Sequence, residues 1–372
     1  MNRAYKYRIY PTKEQEQQMV DTFGCCRFVY NHYLAMQTEN YREGRKHLGK
    51  MSCNNDCNRV LKDANPWLRD VDKFALTNAI YALANGFQRF FRKQGGYPKF
   101  KSRHHSRMSY TTNFTNHNIE VMDNDIKLPK LGKVRASVHR RADESWKLKQ
   151  ATVSRESDGC YYVSILYEYQ REEVSCSLDI QKAIGLDYKS KGLYMDSEGE
   201  CCDMDSYYRN SQNKLAKAQR KLKHKHLYSG NYRKQQRRIS KIMKKAANQR
   251  KDFLHKKSAE IANRYDMVCV EDLNMRAMSN KKFGNGKATL DNGYGAFLTM
   301  LEYKLADRGK QLVKIDRWYP SSKTCSRCGH VKIMPLSERT YHCPCGLVMD
   351  RDLNAAINIK NKGIELYKQQ AA

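Results

Sequence analysis

Four cysteines near the C-terminus constrain this chain more than any other feature of its sequence. Cys325 and Cys328 form a Cys-x-x-Cys pair, and after fourteen intervening residues Cys343 and Cys345 form a Cys-x-Cys pair. Zinc prefers four soft ligands in a tetrahedron, and each pair can supply two thiolates from one tight turn. The spacing is typical of a zinc ribbon, although the second pair is one residue shorter than usual. We therefore expect a structural Zn²⁺ site, because four protein ligands leave no open position for chemistry.

Other interpretations of this cluster remain open. The two pairs could be unrelated reduced thiols, and His330 or His342 could replace a cysteine as ligand. The chain has 13 cysteines, an odd number, and begins without an apolar signal core. A reducing cytoplasm and metal binding are therefore favoured over disulfides. No run of about 18 apolar residues occurs, so we also expect no transmembrane helix.

The positive charge of the chain is large and unevenly distributed. The formal net charge is +30, from 69 Lys and Arg against 39 Asp and Glu. Between Tyr207 and Lys257 there are 18 Lys or Arg and a single acid, Asp252. Solvated helices normally mix charges of both signs, and this segment does not. The expected partner is nucleic acid, whose phosphates are dense fixed anions.

A second basic segment, residues 87–110, interleaves cations with aromatic side chains. Cations bind phosphates and aromatic rings stack on bases, which suits single strands or RNA. We interpret Phe87, Phe90 and Phe91, at helical i, i+3, i+4 spacing, as core, and the loop 97–107 as a nucleic-acid contact. The predicted nucleic-acid-binding residues are Lys99, Lys101, Arg103 and Arg107 here, and Lys221, Lys223, Arg237 and Arg238 in the segment 207–257.

Three acidic residues, Asp187, Glu271 and Asp352, end short apolar strands or open a predicted helix. If adjacent strands bring them together, their oxygens suit two Mg²⁺ ions, which can stabilise the attacking and leaving oxygens of a phosphodiester displacement. The plainer alternative is three exposed acids at the ends of elements. A positive surface that delivers phosphates to the site favours the metal-binding hypothesis.

Alternation and turn signals predict an α+β first half. Residues 4–10 alternate like a strand, and Thr12 with Gln15 then has capping-box form. A helical pattern runs from there to about Phe91, and strands with a hairpin signal at Asp158–Gly159 follow. One strand, a helical insertion and further strands together predict a small β-barrel interrupted by helices.

A second unit is expected from about residue 177. Two apolar strands, 183–187 and 267–271, each end in a carboxylate, and two basic helices hinged near Ser229 separate them in the chain. The other predicted elements are strands at 192–196 and 312–315, a helix at 294–307 and a final helix around 354–359.

These motifs together resemble the TnpB family, the OrfB-type proteins of insertion sequences, whose larger relatives are the type V CRISPR effectors. Gly-Leu-Asp at 185–187 is similar to the first RuvC motif, and Val-Glu-Asp-Leu-Asn at 270–274 is similar to the second. Asp-Arg-Asp-Leu-Asn-Ala-Ala at 350–356, with Asn358, resembles the third. Motifs at 8–12, 27–31 and 98–102 extend the resemblance over nearly the whole chain.

The resemblance implies a fold class, α+β multidomain, with specific boundaries. It implies a wedge-like β-barrel from residues 1–10 and 96–176 and a helical recognition insertion at 11–95. It further implies an RNase H-like (RuvC) α/β nuclease domain with an inserted zinc ribbon. The nuclease domain would comprise 177–317 and 350–372, and the ribbon 318–349.

The resemblance also implies an activity, RNA-guided endonucleolytic cleavage of DNA by one RuvC site. Asp187, Glu271 and Asp352 would be the catalytic residues that bind two Mg²⁺, with Asp350 as the competitor for the third place. The partners would be a guide RNA from the transposon end, one protein copy per guide, and double-stranded target DNA with a short adjacent motif. Such a protein would act in the prokaryotic cytoplasm or nucleoid and be linked to DNA transposition.

Two departures and three alternatives accompany this resemblance. Asp187 is followed by Tyr188-Lys189-Ser190 instead of a small residue and Gly, and the second cysteine pair, Cys343-Pro344-Cys345, is shortened but expected to tolerate zinc. The Lys-rich segment 280–287 suits a mobile lid over the active site. A nuclease-inactive, RNA-guided repressor would lack one of the carboxylates, and all three are present. An unguided transposase acting on DNA ends would need no RNA. A plain RNA-binding protein would leave the acidic residues unexplained.

Overall fold

A computed structural model of the protein describes residues 1–170, 178–280, 286–335 and 337–371. The chain forms two compact units, residues 1–171 and 172–372. The predicted domain border at residues 176 and 177, and with it Cys176, lies outside the described residues, and the finer four-part division stays a prediction. In the described ranges, none of the helices is both long and apolar enough to cross a membrane.

The first unit begins with strand β1 (Asn2–Tyr10) and helix α1 (Lys13–Arg42). The predicted capping box is confirmed, because Thr12 Oγ1 accepts the Gln15 N–H at 3.3 Å and Gln15 Oε1 accepts the Thr12 N–H at 3.0 Å. The helical pattern continues, with a break near Pro66, through α2 (Lys50–Asp56), a π-helical turn (Cys57–Leu61), α3 (Lys62–Ala64), a 3-10 turn (Pro66–Arg69) and α4 (Lys73–Phe91).

Six further strands complete this unit. They are β2 (Met108–Asn113), β3 (Glu120–Val121), β4 (Asp125–Leu128), β5 (Gly132–Ser137), β6 (Lys147–Arg155) and β7 (Tyr161–Glu168). The seven strands form one sheet in the order β2-β6-β7-β1-β5-β4-β3. The predicted hairpin joins β6 to β7, and β1 pairs antiparallel with both β7 and β5. The helices are therefore an insertion after the first strand, whereas closure of the sheet into a barrel stays a prediction.

The prediction that Phe87, Phe90 and Phe91 belong to the hydrophobic core is correct only for Phe87. Phe87 is 4% exposed, but Phe90 is 36% and Phe91 65% exposed. Helical periodicity indicates which side chains share a face but not how far along the helix that face is covered, and α4 ends at Phe91. Instead, the rings of Phe87 and Phe90 each pack edge-on against Tyr97, with centroids 5.5 and 5.3 Å apart.

The second unit contains a mixed sheet of five strands. They are β8 (Ala183–Tyr188), β9 (Tyr194–Asp196), β10 (Cys201–Cys202), β11 (Met267–Glu271) and β12 (Gln311–Ile315). The order across the sheet is β10-β9-β8-β11-β12. The three strands β8, β11 and β12 run parallel, and β9 lies antiparallel to both β8 and β10. The strands predicted from the apolar runs are thus confirmed.

Helices and a small hairpin surround this sheet. The helices are α5 (Tyr207–Lys223), α6 (Gly230–Arg264), α7 (Met275–Met278), α8 (Gly286–Asn292), α9 (Tyr294–Ala306) and α10 (Arg351–Ala371). The hairpin pairs β13 (Thr340–His342) with β14 (Val348–Asp350). The two basic helices, α5 and α6, follow one another as predicted, and the final helix is much longer than predicted.

Helix α10 crosses the sheet at two glycines. A Cβ atom on Gly185 of β8 would lie 2.1 Å from the carbonyl oxygen of Ala356, and one on Gly363 would lie 2.3 Å from Cys269 Sγ. No real Cβ atom fits at these distances, so glycine is required where the helix approaches the strands. This close approach fixes the position of α10 relative to strands β8 and β11.

Candidate active site and cysteine cluster

Asp187 and Glu271 lie side by side at the carboxyl edge of the sheet. The last paired residues of the parallel strands β8 and β11 are Leu186 and Val270, and each carboxylate comes one residue later. Neighbouring strands are about 4.8 Å apart, and register partners point to the same face. The strand pairing therefore directs both side chains toward one face of one edge.

Asp352 reaches the same edge from α10. Ala356 contacts β8 at Gly185, and four helical residues toward the N-terminus cover about 6 Å. Two strand residues, from Gly185 to Asp187, cover about the same length. The competing residue Asp350 has another role, because its Oδ1 accepts the backbone N–H groups of Asp352 and Leu353 at 2.8 and 3.0 Å and so caps the helix.

Burial and mutual repulsion dominate the electrostatics of these carboxylates. Burial, followed by the negative charges of Glu271 and Asp352, raises the pKa of Asp187 well above its ordinary value, against the opposing charges of Arg351 and Lys189. Burial also raises the pKa of Glu271, and a hydrogen bond from Ser321 opposes that rise. The arrangement concentrates negative charge that a bound cation would stabilise.

Lys189 belongs to this site, although sequence reasoning noted it only as a departure. Its Nζ lies 3.6 Å from Asp352 Oδ2 and donates a hydrogen bond to Cys201 Sγ at 3.4 Å. The signal that could have found it is its position, because Lys189 is two residues beyond Asp187 and directly follows the end of β8 at Tyr188. The neighbouring Tyr188 instead turns its hydroxyl to Thr289, at 3.2 Å.

The four predicted cysteines converge. Their sulfur atoms all lie within 4.8 Å of one another, with 3.7 Å between Cys325 and Cys345 and 3.5 Å between Cys328 and Cys343. A tetrahedron with Zn–S bonds of about 2.3 Å has S···S edges of about 3.8 Å. Although burial acts against it, hydrogen bonds from the backbone N–H groups of Cys328 and Arg327 lower the pKa of Cys325 to about 6. The cluster fits a metal ion such as zinc.

The carboxylates are more widely spaced than the cysteines. Within the described ranges, the cysteine cluster is the only group of three or more potential ligands whose donor atoms all lie within 4.8 Å. Asp187, Glu271 and Asp352 are close enough for their charges to act on one another but do not form such a closed set.

The predicted nucleic-acid-binding residues divide into two groups. Those in the first group are exposed cations: Lys99, Arg103, Arg107, Lys221, Lys223, Arg237 and Arg238. Lys101 differs, because its backbone pairs with the Asn31 side chain and its Nζ lies 3.9 Å from the centre of the Tyr30 ring. Burial lowers the pKa of Lys101. This residue anchors the loop 97–107 to α1.

The predicted lid, residues 280–287, is described only at its ends, since 281–285 lie outside the described residues. Gly286 opens α8 and packs against the preceding backbone, where a Cβ atom would lie 2.6 Å from the Ser279 carbonyl oxygen. The lid stays a prediction.

Three family models match the chain. The OrfB_IS605 "Probable transposase" model matches residues 164–282, and the Cas12f1-like TNB domain model matches residues 294–359. The OrfB_IS605 "Helix-turn-helix domain" model matches residues 1–46, which here form one strand and one long helix. All three carboxylates and the four cysteines lie within the two C-terminal matches.

Two relatives match over nearly their whole lengths. A Streptomyces pristinaespiralis protein named "Putative RNA-guided DNA endonuclease" is 34% identical over 98% of this chain and 90% of its own length. An Escherichia coli K12 protein named "Putative RNA-guided DNA endonuclease InsQ" is 32% identical over 97% of this chain and 92% of its own length.

A solved structure shows the same fold. The cryo-EM structure of the Cas12f1–sgRNA–target DNA complex aligns with 97% of this chain and 99% of that chain, with a TM-score of 0.60 at 14% identity. This likeness concerns the fold alone, whereas the sequence matches above extend over full lengths at more than 30% identity. The chain belongs to the TnpB family, the OrfB-type proteins of insertion sequences.

Proposed function

We propose that this protein is a transposon-encoded, RNA-guided DNA endonuclease that hydrolyses phosphodiester bonds of target DNA at one site, formed by Asp187, Glu271 and Asp352. The observation that carries this proposal is the placement of three carboxylates, distant in sequence, at one edge of one sheet. The names of the two full-length relatives support the same activity.

The sheet topology supports an RNase H-like (RuvC) domain. Numbered along the second unit, the five strands have the order 3-2-1-4-5, with the second antiparallel to the first and the fourth and fifth parallel to it. This arrangement places the first and fourth strands, β8 and β11, at the centre. The carboxylates at their ends then meet the first turn of α10, which brings the third acid.

The donor set at this edge fits Mg²⁺, because all three side chains offer hard oxygen ligands. Burial, and after it the negative charges of Glu271 and Asp352, raises the pKa of Asp187, and a bound cation would oppose both effects. Two bound Mg²⁺ ions would supply the positive charge that stabilises the attacking and leaving oxygens. The side chains of Asp187 and Glu271 extend from rigid strands, and the side chain of Asp352 extends from a capped helix. Lys189 partly neutralises Asp352 beside them.

The cysteine cluster fits a structural zinc ion in a ribbon, residues 318–349. Four thiolates complete a tetrahedron, so the ion would hold the fold of the ribbon rather than take part in chemistry. The ribbon otherwise has a small core of Cys325, Met334, Tyr341 and Leu347. Such a core is too small to be stable alone, which explains a need for metal.

The basic helices α5 and α6 are the proposed surface for the guide RNA and its DNA hybrid. Leu215 and Ala218 of α5 are buried, and the Gln235 side chain of α6 donates to the Ala218 carbonyl at 2.8 Å. Most of the cations of the two helices are exposed. Phosphates of a guide RNA, and of a target duplex with a short adjacent motif, would neutralise this charge.

The test is to purify the full-length protein, sequence the RNA that copurifies, and supply a DNA duplex that matches it beside randomised flanking sequence. Wild-type protein is expected to cut this duplex only with RNA and Mg²⁺. Asp187→Ala, Glu271→Ala and Asp352→Ala should each reduce cleavage by about 10³-fold while RNA and duplex binding persist. Glu302→Gln, an exposed acid in the same unit, is the matched control.

Three outcomes would contradict the proposal. Cleavage that survives any of the three alanine substitutions would remove that residue from the active site. If no discrete RNA copurifies and the protein acts on DNA ends without RNA, the protein is an unguided transposase. Specific RNA-guided binding without cleavage by the wild type would identify a repressor.

A further inference from the structure

Ser321 touches Glu271 from a different part of the chain. Its hydroxyl donates a hydrogen bond of 2.6 Å to Glu271 Oε1, and the residue is only 6% exposed. Fifty residues separate the two in sequence. A short hydrogen bond from a neutral donor to a carboxylate fixes the rotamer of that carboxylate without competing for its charge. Among the described residues, none forms a hydrogen bond or ion pair with the other oxygen, Glu271 Oε2.

Two buried asparagines hold the loop that carries Ser321. The Asn358 side chain donates to the Ser321 carbonyl at 2.8 Å and to the Thr324 carbonyl at 2.7 Å. Asn354 donates to the same Thr324 carbonyl at 2.7 Å and accepts the Ser326 N–H at 3.0 Å. Asn354 is 0% and Asn358 4% exposed, and they lie four residues apart on one face of α10.

This arrangement gives the two asparagines of the third motif a physical role. Buried amides must be paired, and here they are paired with backbone groups of residues 321–326. The same helix carries Asp352 at its first turn. Helix α10 thus carries Asp352 itself and also holds Ser321, the hydrogen-bond partner of Glu271. Cys325 follows Thr324, so the loop also joins this network to the cysteine cluster.

We propose that Ser321 is a positioning residue for Glu271, held in place by Asn358 and Asn354 of α10. This inference rests on the proposed function, since it assigns Ser321 to the same metal-binding site. Partners that orient a metal-ligating carboxylate commonly change metal affinity or activity by about 10- to 100-fold when removed. Ser321 orients the oxygen of Glu271 that remains available to a divalent cation.

The experiment compares wild-type protein with Ser321→Ala and Ser321→Thr, each purified at full length with its RNA. Cleavage of the matched duplex is measured across Mg²⁺ concentrations, and duplex binding is measured alongside. Ser321→Ala should raise the Mg²⁺ concentration for half-maximal cleavage by about 10- to 100-fold, with unchanged duplex binding. Ser321→Thr keeps the hydroxyl, so its Mg²⁺ concentration for half-maximal cleavage should lie within about threefold of the wild-type value. Ser322→Ala, a change at the half-exposed neighbouring serine, is the matched control.

The outcomes separate this inference from the proposed function. A Ser321→Ala protein with wild-type Mg²⁺ dependence overturns the positioning role, even when Glu271→Ala is inactive. Equal loss of duplex binding and thermal stability, without a change in Mg²⁺ dependence, also overturns it and shows a purely structural serine. If the alanine protein does not fold, Ser321→Cys keeps the volume with a weaker donor, and an unchanged Mg²⁺ dependence overturns the inference. Full activity of Glu271→Ala would instead overturn the proposed function.

Discussion

The cysteine cluster and the carboxylate site lie in the same unit and are built in opposite ways. The four cysteines fall within 21 consecutive residues, and their sulfurs converge within 4.8 Å. The three carboxylates are 84 and 81 residues apart, come from two strands and a helix, and stay more open. The first set of ligands is assembled by two local turns, and the second by the pairing of β8 with β11 and the packing of α10 on the sheet.

This difference teaches what each site is suited for. A closed set of four soft ligands satisfies a metal ion completely and stabilises a small ribbon. An open set of buried like charges is destabilising by itself, and this instability makes it receptive to cations and to substrate oxygens. The way in which the ligands are brought together therefore suits the cysteine cluster to the proposed structural ion and the carboxylates to the proposed catalysis.

Substitution of two of the four cysteines should have the largest effect, and it should disrupt only the cysteine cluster. Cys325→Ser together with Cys343→Ser should abolish zinc binding and leave residues 318–349 sensitive to protease, because the ribbon has a minimal core. Zinc content by mass spectrometry and limited proteolysis measure this. The half-exposed Cys160 of the first unit provides the control, Cys160→Ser. A double variant that keeps one zinc per chain would refute the assignment.

A substitution at Gly185 should have a smaller effect. It should move Asp352 away from the other two carboxylates and leave the cysteine cluster intact. Gly185→Ala places a Cβ against the Ala356 carbonyl, so α10 must move from the sheet, at a cost of about 3 kcal/mol of unfolding free energy. Cleavage should fall while zinc stays bound. Gly230→Ala, at a glycine with open space around it, should leave the midpoint of denaturant unfolding unchanged. An unchanged midpoint for Gly185→Ala would show that α10 does not fix the site.

The smallest effect concerns repulsion among the carboxylates. Because the folded-state pKa of Asp187 is raised above its ordinary 3.8, the folded protein binds more protons than the unfolded chain. Without divalent ions, wild-type stability should therefore fall as the pH rises from about 4 through the folded-state pKa. Asp187→Asn should remove this loss and be more stable at neutral pH, by on the order of 1 kcal/mol.

Thermal unfolding in chelator across a pH series measures this difference. The two proteins should match below about pH 4 and diverge above it. Added Mg²⁺ should stabilise the wild type and not the variant. A wild type that is the more stable protein at neutral pH in chelator would show that the three carboxylates do not repel one another.

Much of this molecule could be predicted from local sequence. The capping box at Thr12, the apolar strands before Asp187 and Glu271, and the spacing of the cysteines each depend on neighbouring residues, and each is confirmed. Phe91 shows the limit, because helical periodicity does not reveal where the covering layer ends.

The sequence by itself determined which residues could carry chemistry, since residue type and short spacing specify metal preference and secondary structure. Only the tertiary structure decided which of them meet. The contact of Ser321 with Glu271 and the ion pair of Lys189 with Asp352 depend on how α10 and the loop 316–324 lie on the sheet. Contacts between distant segments are set by packing, which local patterns do not encode.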